Sequence, residues 1–474
     1  MNLSEDYKYC SKLLDETLRI DKNFDIIKRE LKTGDRAAAM YMVDGFAKDD
    51  IMEKILEFVM SVTKEDFKSL PTENDYINKF VPYTEVELSN DLDSIITKIL
   101  SGTICYIIDG YENAILIDAR TYPARDVSEP DDDRVLRGSH EGFVETLVFN
   151  TALIRRKIRD PNLTMEIHSV GYKSKTDIVF CYLDNIADKN QIKKLRDKIK
   201  SIDIRSLTMA QQTLAEVLIQ SRWYNPFPKI RYTERPDAAA ASVLEGKILI
   251  IVDGTPSVML LPTAIFDFLQ ETDDFYFPPI TGTYLRITRI LIFFSTLFLT
   301  PIWYLLVKNP NLIPNWLSFI TPKGEIAVPI IAQLLLIELA VDALKIASLN
   351  TPSVLSNSFS IIGALILGEF AVNAGWVASE VVLYMAFVAI GTYAQPSFEL
   401  GYAFKFMRIM ILILTAIFNV WGFAAGVILT LIFIATNKTF GEKSYLYPLI
   451  PFNLNDMINV FVRRKLRVAK QNKK

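Results

Sequence analysis

Histidine and cysteine are scarce in this 474-residue chain, which carries two histidines, His140 and His168, and three cysteines, Cys10, Cys105 and Cys181. The cysteines show no metal-ligand spacing. Cys105 and Cys181 lie inside apolar, strand-like runs and read as core residues. Two histidines with no shared motif give no basis for a histidine-built metal or catalytic site. The sequence also lacks GxxxxGK[ST], GxSxG, HExxH and any glycine-rich phosphate loop. The acidic run Asp131–Asp133 reads as a solvated loop. No catalytic residue, metal ligand or cofactor is therefore expected, and the chain does not read as an enzyme. Charge of one sign is missing as well: 52 Lys and Arg stand against 55 Asp and Glu, a net charge of −3, which excludes a global basic surface for nucleic acid. The first residues, Met1 to Lys8, have neither a basic n-region nor an apolar h-region. The large N-terminal part is accordingly expected in the cytoplasm.

No long hydrophobic run occurs before Tyr284, although 50% of all residues are hydrophobic. The excess lies in five apolar segments between Thr288 and Thr436. The first, Thr288–Val307, has one charge, Arg289, at its edge and Trp303 and Tyr304 near its far end. A helix of about 20 apolar residues crosses the hydrocarbon core, with aromatic rings favoured at its rims. The second, Ile326–Ala347, carries Glu338, Asp342 and Lys345. The third and fourth, Phe359–Val372 and Val377–Thr392, are short and are flanked by Glu369 and Glu380. The fifth, Ile409–Thr436, is long, with Gly422 and Gly426 near its middle. These segments predict an all-α polytopic membrane domain over 284–437, followed by a basic tail over 438–474. Arg286 and Arg289 precede the first span, and Arg463, Arg464, Lys465 and Arg467 follow the last, so both ends are expected on the cytoplasmic side. That requires an even number of crossings. Five segments conflict with that unless one is re-entrant or the fifth folds at Gly422–Gly426; four crossings are expected, with the short third or fourth segment entering incompletely.

The preceding 280 residues contain a repeat. An apolar strand ends at Asp44-Gly45 and is followed by a helix; the same happens at Asp184-Asn185, 140 residues later. A helix, a glycine, a strand, an Asp-Gly turn and a second strand occur over Leu92–Asp118 and again over Asp237–Pro262. Here Gly102 and Gly246 are 144 residues apart, as are Asp109 and Asp253. Asp-Gly between apolar runs is a strong hairpin signal. The two offsets predict duplication: an α/β region of two similar subdomains, 1–134 and 135–280. A helix over 139–159, capped by Ser139 and stopped by Asp160-Pro161, connects them. Arg155, Arg156, Lys157 and Arg159 crowd its last turn, where they complement the helix dipole. They suit either a solvated helix end or a contact with another subunit or a headgroup. Glu234, Arg235 and Asp237, beside Pro236, suit either a local ion-pair cap or an intersubunit contact. A tail helix over Asn455–Arg467 would place Ile458, Phe461 and Val462 against the bilayer or a neighbour, with its basic residues reaching anionic lipids.

Several stretches resemble the GerA family of spore germination proteins, A-type subunits in particular. They are Arg137 to Glu145, Asn150 to Leu163, Ser174 to Asp177, Thr233-Glu234-Arg235-Pro236-Asp237 leading to Gly246, Val252 to Pro256, and Ile361 to Ser397. The early stretch from Phe24 to Leu56 and the segment Asn225-Pro226-Phe227-Pro228 resemble a sporulation-type member more than a nutrient-receptor subunit. The resemblance implies a multi-pass protein of the spore inner membrane that acts as an oligomeric, ion-conducting subunit. It also implies a second integral membrane subunit as partner, and amplification of germination after nutrient germinant receptors fire. The alternative is a non-conducting scaffold that senses a ligand or relays a signal. Glu338, Asp342 and Lys345, spaced i, i+4 and i+7, share one helix face. In a ring-shaped homo-oligomer Glu338 would form a carboxylate ring, with Lys345 pairing Asp342 and with Glu369 and Glu380 as further pore candidates. The same spacing also suits a helix end near the headgroups or a salt-bridged subunit contact.

Overall fold

The computed structural model describes residues 2–47, 49–120, 138–219, 223–323, 327–350, 369, 371–442 and 444–464. The third apolar segment, the expected boundary at 134–135 and the tail beyond 464 lie largely or wholly outside these residues. Two compact units form. One comprises Met1–Gln220 with Ile230–Thr263, the other Ser221–Lys229 with Ala264–Lys474.

The first unit contains two α/β repeats. The first runs α1 (Tyr7–Leu18), β1 (Ile26–Thr33), β2 (Arg36–Val43), α2 (Asp49–Met60), α3 (Lys64–Phe67), α4 (Glu73–Phe80), β3 (Val86–Ser89), α5 (Leu92–Leu100), β4 (Ile104–Ile108) and β5 (Ala114–Ile117). The second runs α6 (Leu147–Lys157), β6 (Leu163–Val170), β7 (Thr176–Leu183), α7 (Lys189–Lys200), α8 (Ala210–Leu218), β8 (Arg231–Thr233), α9 (Pro236–Leu244), β9 (Ile248–Val252) and β10 (Val258–Leu261). Their five-stranded sheets are ordered β1-β2-β4-β5-β3 and β6-β7-β9-β10-β8, and every neighbouring pair is antiparallel.

The duplication reaches the level of single hydrogen bonds. Ala38 pairs with Ile108 as Ile178 pairs with Val252, Ile104 with Ile117 as Ile248 with Leu261, and Leu88 with Ile115 as Tyr232 with Met259. The turns at Gly110 and Gly254 occupy the same place. Both glycines have φ of 80°, a left-handed value that glycine adopts without steric cost. The Asp109 carboxylate accepts the Tyr7 N–H at 3.2 Å, and Asp253 accepts the Leu147 N–H at 3.2 Å. Each Asp-Gly turn thus holds the first turn of its repeat's leading helix. Asp44 N–H donates to Asp25 O at 2.8 Å, and Asp184 N–H to Asn162 O at 3.0 Å. The central strands β4 and β9 are buried along their whole length. Unbroken apolar runs such as Ile-Cys-Tyr-Ile-Ile belong there, because both faces of the strand are covered. Cys105 and Cys181 are buried free thiols, and burial pushes the Cys181 thiol up to about 12.

The helix expected from Ser139 begins only at Leu147. Residues before it are drawn away: Phe143 N–H donates to Glu234 O at 2.8 Å. The N-cap residue, Thr146, makes no side-chain cap bond. Asp253 does that work from across the fold, which no local capping signal reveals.

The basic cluster at the end of α6 divides. Arg155 is fully buried and forms a two-bond pair with Asp25 at 2.8 and 3.0 Å, joining the second repeat to the first. Its guanidinium also donates to Leu163 O at 3.1 Å. Arg155 therefore points into its own chain and is not a surface for a neighbouring subunit. Arg156 and Lys157 pair with Glu141 at 3.0 and 2.9 Å. Arg159 is exposed. Arg235 is 1% exposed and pairs with Asp237 at 2.7 and 3.1 Å, the local ion pair at the start of α9, while Glu234 lends its backbone carbonyl to Phe143.

The second unit is helical. It comprises α10 (Asp273–Tyr276), α11 (Pro279–Lys308), α12 (Ile330–Asn350), α13 (Ser379–Tyr393), α14 (Phe398–Ala435) and α15 (Leu454–Phe461). By length and composition α11 and α14 are long and apolar enough to cross a membrane. The segment around Pro226 and Pro228 belongs to this unit, with Phe227 buried against Phe404 and Tyr445.

The helix α14 is broken at Asn419, at φ 55° and ψ −131°. This pair lies outside the left-handed helical region that asparagine commonly visits, in mirror-β territory that glycine enters most easily. The break reverses the chain. A Cβ on Gly426 would meet Ile411 at 3.0 Å, and one on Gly422 would overlap the Leu414 carbonyl. Arm 420–435 therefore packs back along arm 398–418. The expected fold at Gly422–Gly426 lies instead at Asn419, because the glycines are the close-contact surface between the arms. The turn is secured by α11: Asn309 and Asn419 exchange two amide hydrogen bonds at 2.6 and 2.8 Å. Lys308 Nζ meets the Thr415 and Ala416 carbonyls at 3.2 and 2.5 Å.

The expected tail helix stops at Phe461, with Val462 extended. Arg463 turns back, its N–H meeting Thr283 Oγ1 at 3.1 Å and its Nη2 donating to Phe275 O at 2.6 Å. Arg286 Nη1 donates to Asn459 O at 2.6 Å. The start of α11 and the end of the helical unit thus lie together.

A buried charge cluster as the candidate functional site

Two helices of the second unit bring their charges to one place. Glu338, Asp342 and Lys345 lie along one face of α12, as their spacing requires. Lys405 and Arg408, three residues apart in the first arm of α14, lie opposite. The Glu338 carboxylate is 2.5 Å from Arg408 Nη2 and 3.2 Å from Lys405 Nζ. Lys405 also pairs with Asp342. Glu338 is 7% exposed and Arg408 2%. Arg408 reaches α11 as well, its Nη1 donating to Thr296 O at 2.6 Å, and Gln395 Nε2 donates to Thr296 Oγ1 at 3.0 Å. Lys345 Nζ sits 4.8 Å from the Tyr393 ring centre and 5.5 Å from that of Tyr402, a cation–π arrangement. Asp342 Oδ1, Arg408 Nε and Gln395 Oε1 are buried and make no hydrogen bond.

Two expectations change. Asp342 pairs with Lys405, not with Lys345, whose ammonium is drawn to the two tyrosine rings. Glu338 is held by two cations instead of being the most open carboxylate. Lys405 and Arg408 precede the fifth apolar segment, which starts at Ile409, and so fall outside the candidates that apolar length marks. The helix begins at Phe398, and two cations three residues apart beside an apolar run were the signal. Glu380, in the first turn of α13, lies outside this cluster and accepts from Ser379 Oγ at 3.2 Å. Glu369 is exposed.

The helices around the cluster have fixed relative directions. Against α11, α13 is antiparallel, with Gly391 at Thr296 and Trp303 on Tyr384. The first arm of α14 runs with α11, from Phe404 on Phe293 to Thr415 at Lys308. α12 opposes that arm and runs parallel to α13: Gln333 Oε1 accepts the Ala378 N–H at 2.8 Å at one end, and Lys345 meets Tyr393 at the other. Five charges gathered among such helices are costly unless paired. Here two carboxylates meet three cations.

A duplicated α/β unit together with a helical unit that buries ion pairs and holds two helices long and apolar enough to cross a membrane fits a membrane-associated class of protein. The model of the Bacillus/Clostridium GerA spore germination protein matches residues 13–474, and the chain belongs to that family. Stage V sporulation protein AF of Bacillus subtilis (strain 168) is 39% identical over 444 residues, covering 93% of this chain and 89% of that protein. Spore germination protein KA of the same organism is 29% identical, covering 92% and 80%. Spore germination protein GerLA of Bacillus cereus is 30% identical, covering 82% and 79%. Among solved structures, the N-terminal domain of the A subunit of the Bacillus megaterium spore germinant receptor GerK3 aligns with TM-score 0.42 and 26% identity, covering 55% of this chain and 96% of that one.

Proposed function

We propose that this chain is a membrane subunit of a spore germination complex that assembles as a ring of identical copies and conducts ions. The observation that carries the reading is the buried cluster of Glu338, Asp342, Lys345, Lys405 and Arg408. Intramembrane charges are expensive and mark ion paths more often than they mark lipid-facing surfaces. The parallel direction of α12 and α13 requires the chain to cross back between them. With both arms of α14 this gives six passes instead of the four expected from the sequence. The count is even, and both ends of the helical unit then face the same side, which we assign to the cytoplasm of the spore inner membrane. A second integral membrane subunit, nutrient germinant receptors and anionic lipids are the partners proposed. The release of ions by such a ring would amplify germination.

One observation favours a second reading, a non-conducting relay. Glu338 is already neutralised within its own chain, so α12 and α14 can serve as a latch between two helix arrangements. Ion flux through the full-length chain in vesicles, with and without its membrane partner, separates the two. Conduction predicts flux that changes in size or cation preference with Glu338→Gln and Glu338→Lys. Unchanged flux in both, with normal assembly, removes Glu338 from the path. No flux under either condition leaves the relay.

A further inference from the structure

Between Lys308, which ends α11, and Lys323 no residue carries a charge. The chain there forms two short 3-10 helices, Pro310–Leu312 and Asn315–Ile320. A 3-10 turn holds three residues, so positions three apart stack and the segment presents three faces. The first face, Ile313, Leu317 and Ile320, packs inward on a cluster that contains Trp303, Tyr304 and Leu334. Trp303 Nε1 donates to Ile320 O at 2.9 Å, so an indole that apolar length alone sets at a membrane rim is instead a buried tie for this segment. The second face, Leu312, Trp316 and Phe319, is just as apolar and is open, with Trp316 75% and Phe319 62% exposed. The third, Asn311, Asn315 and Ser318, is exposed, polar and uncharged.

The segment lies back along the helices. Ile320 is level with Trp303, five residues before the end of α11, or about 7.5 Å along the helix axis. Two further exposed tryptophans belong to the same end. Trp376 adjoins Val377 of the inward cluster, and Trp421 follows the Asn419 turn that Asn309 holds. The opposite end of α11 carries Arg286 and Arg289, with Arg463 bonded to Thr283 beside them.

We infer that the 310–320 segment lies in the headgroup–acyl boundary of the membrane, on the side away from the basic end of α11. Lipid is its occupant: the Leu312, Trp316 and Phe319 face meets the acyl edge, and the Asn311, Asn315 and Ser318 face meets headgroups and water. The inference rests on the membrane reading above and fixes the depth of the helical unit. Three faces then meet three surroundings: protein, acyl chain and wet headgroup. The fold-back of the segment matches the headgroup zone, which is about 5–7 Å deep on each side of a bilayer. Tryptophan favours that zone because its ring is apolar and its N–H is not. Backbone donors beside lipid need partners. Here Pro310 and Pro314 have no N–H, and those of Leu312, Ile313 and Leu317 donate to the Asn309, Pro310 and Pro314 carbonyls at 2.9, 3.0 and 2.8 Å. Basic residues at one end of α11 and none in the segment at the other is the charge asymmetry of a cytoplasmic and a far side.

The test uses the full-length chain in lipid nanodiscs. Leu312→Cys, Trp316→Cys and Phe319→Cys, made one at a time, each carry a nitroxide; the native cysteines are buried and do not compete for the label. Collision with oxygen, which concentrates in lipid, is compared with collision with a water-soluble nickel chelate. Exposed Lys12→Cys on α1 is the aqueous standard, and exposed Ile413→Cys and Ile428→Cys on the two arms of α14 are the lipid standards. The three segment labels should give oxygen-to-nickel ratios between those of the two standards. Ratios equal to that of Lys12→Cys, with either lipid standard still rich in oxygen, overturn the inference and leave the membrane reading standing. Shielding of all three labels from both reagents overturns it too, since a protein surface then covers the face. Nickel contact at Ile413→Cys and Ile428→Cys equal to that at Lys12→Cys overturns both readings.

Discussion

Arg155 is the charge on which the contact between the α/β repeats turns. Its guanidinium is spent on Asp25 and the Leu163 carbonyl, with no solvent to replace either. Arg155→Met strands a buried carboxylate and should cost about 3–5 kcal/mol, read as a drop in the unfolding midpoint. Adding Asp25→Asn should recover most of that loss, since the uncompensated charge goes with it. Nothing local announced this role. Arg155 stands in a run of four basic residues, and its partner is 130 positions away in sequence. The charge cluster of the helical unit shows the same division. Glu338 and Asp342 stood out as carboxylates in an apolar segment, but their partners lie 70 and 63 positions further on. Spacing placed the acids on one helix face, offered Lys345 to Asp342, and left Lys405 and Arg408 unassigned. Lys405→Met should therefore destabilise the helical unit by about 3–5 kcal/mol, whether or not ions pass nearby. Thermal unfolding in detergent reads that cost separately from flux.

At the level of elements, the break in α14 is decided by one backbone angle and two small residues. Asn419→Gly keeps the positive φ but gives up the two bonds to Asn309, so it should cost less than a β-branched replacement. Asn419→Val should cost about 1–3 kcal/mol, since a β-branched side chain at that φ is strained and the bonds to Asn309 are lost. Gly422→Leu should force the arms apart, because a side chain there overlaps the Leu414 carbonyl. The check is the melting temperature of the three variants in one detergent. Composition made the apolar length of this stretch plain, and the glycines near its middle were visible as a singularity. A fold near these glycines was legible; its place at Asn419 was not, because that depends on a neighbour, Asn309, that only the folded unit supplies. The leading helix of the second repeat tells the same story: its capping carboxylate, Asp253, comes from a hairpin 106 positions later.

At the level of the whole molecule, the duplication was the most legible feature, because antiparallel register depends on sequence offset and two offsets agreed. The sequence could not say that the repeats join through unlike faces, since that depends on which side each helix presents. The apolar helices were legible by length and illegible by direction, which emerges only from which residues meet. The second arm of α14 then has a consequence for the lipid around it. Its 16 residues span about 24 Å, against a hydrocarbon core of about 30 Å. α13, with 15 residues, is no longer. Set in a bilayer, these segments fall short, and Asn419 and Lys308 close the turn with polar groups that cannot be drawn into the acyl chains. The membrane must dimple to meet them, storing elastic energy that grows with acyl length. Reconstitution in phosphatidylcholines of increasing chain length should show assembly and flux highest in thin bilayers and declining as they thicken; a response flat across the series would mean that the short helices are screened from lipid by protein. A protein that carries its own local thinning is drawn to its like, because two dimples that merge cost less than two kept apart.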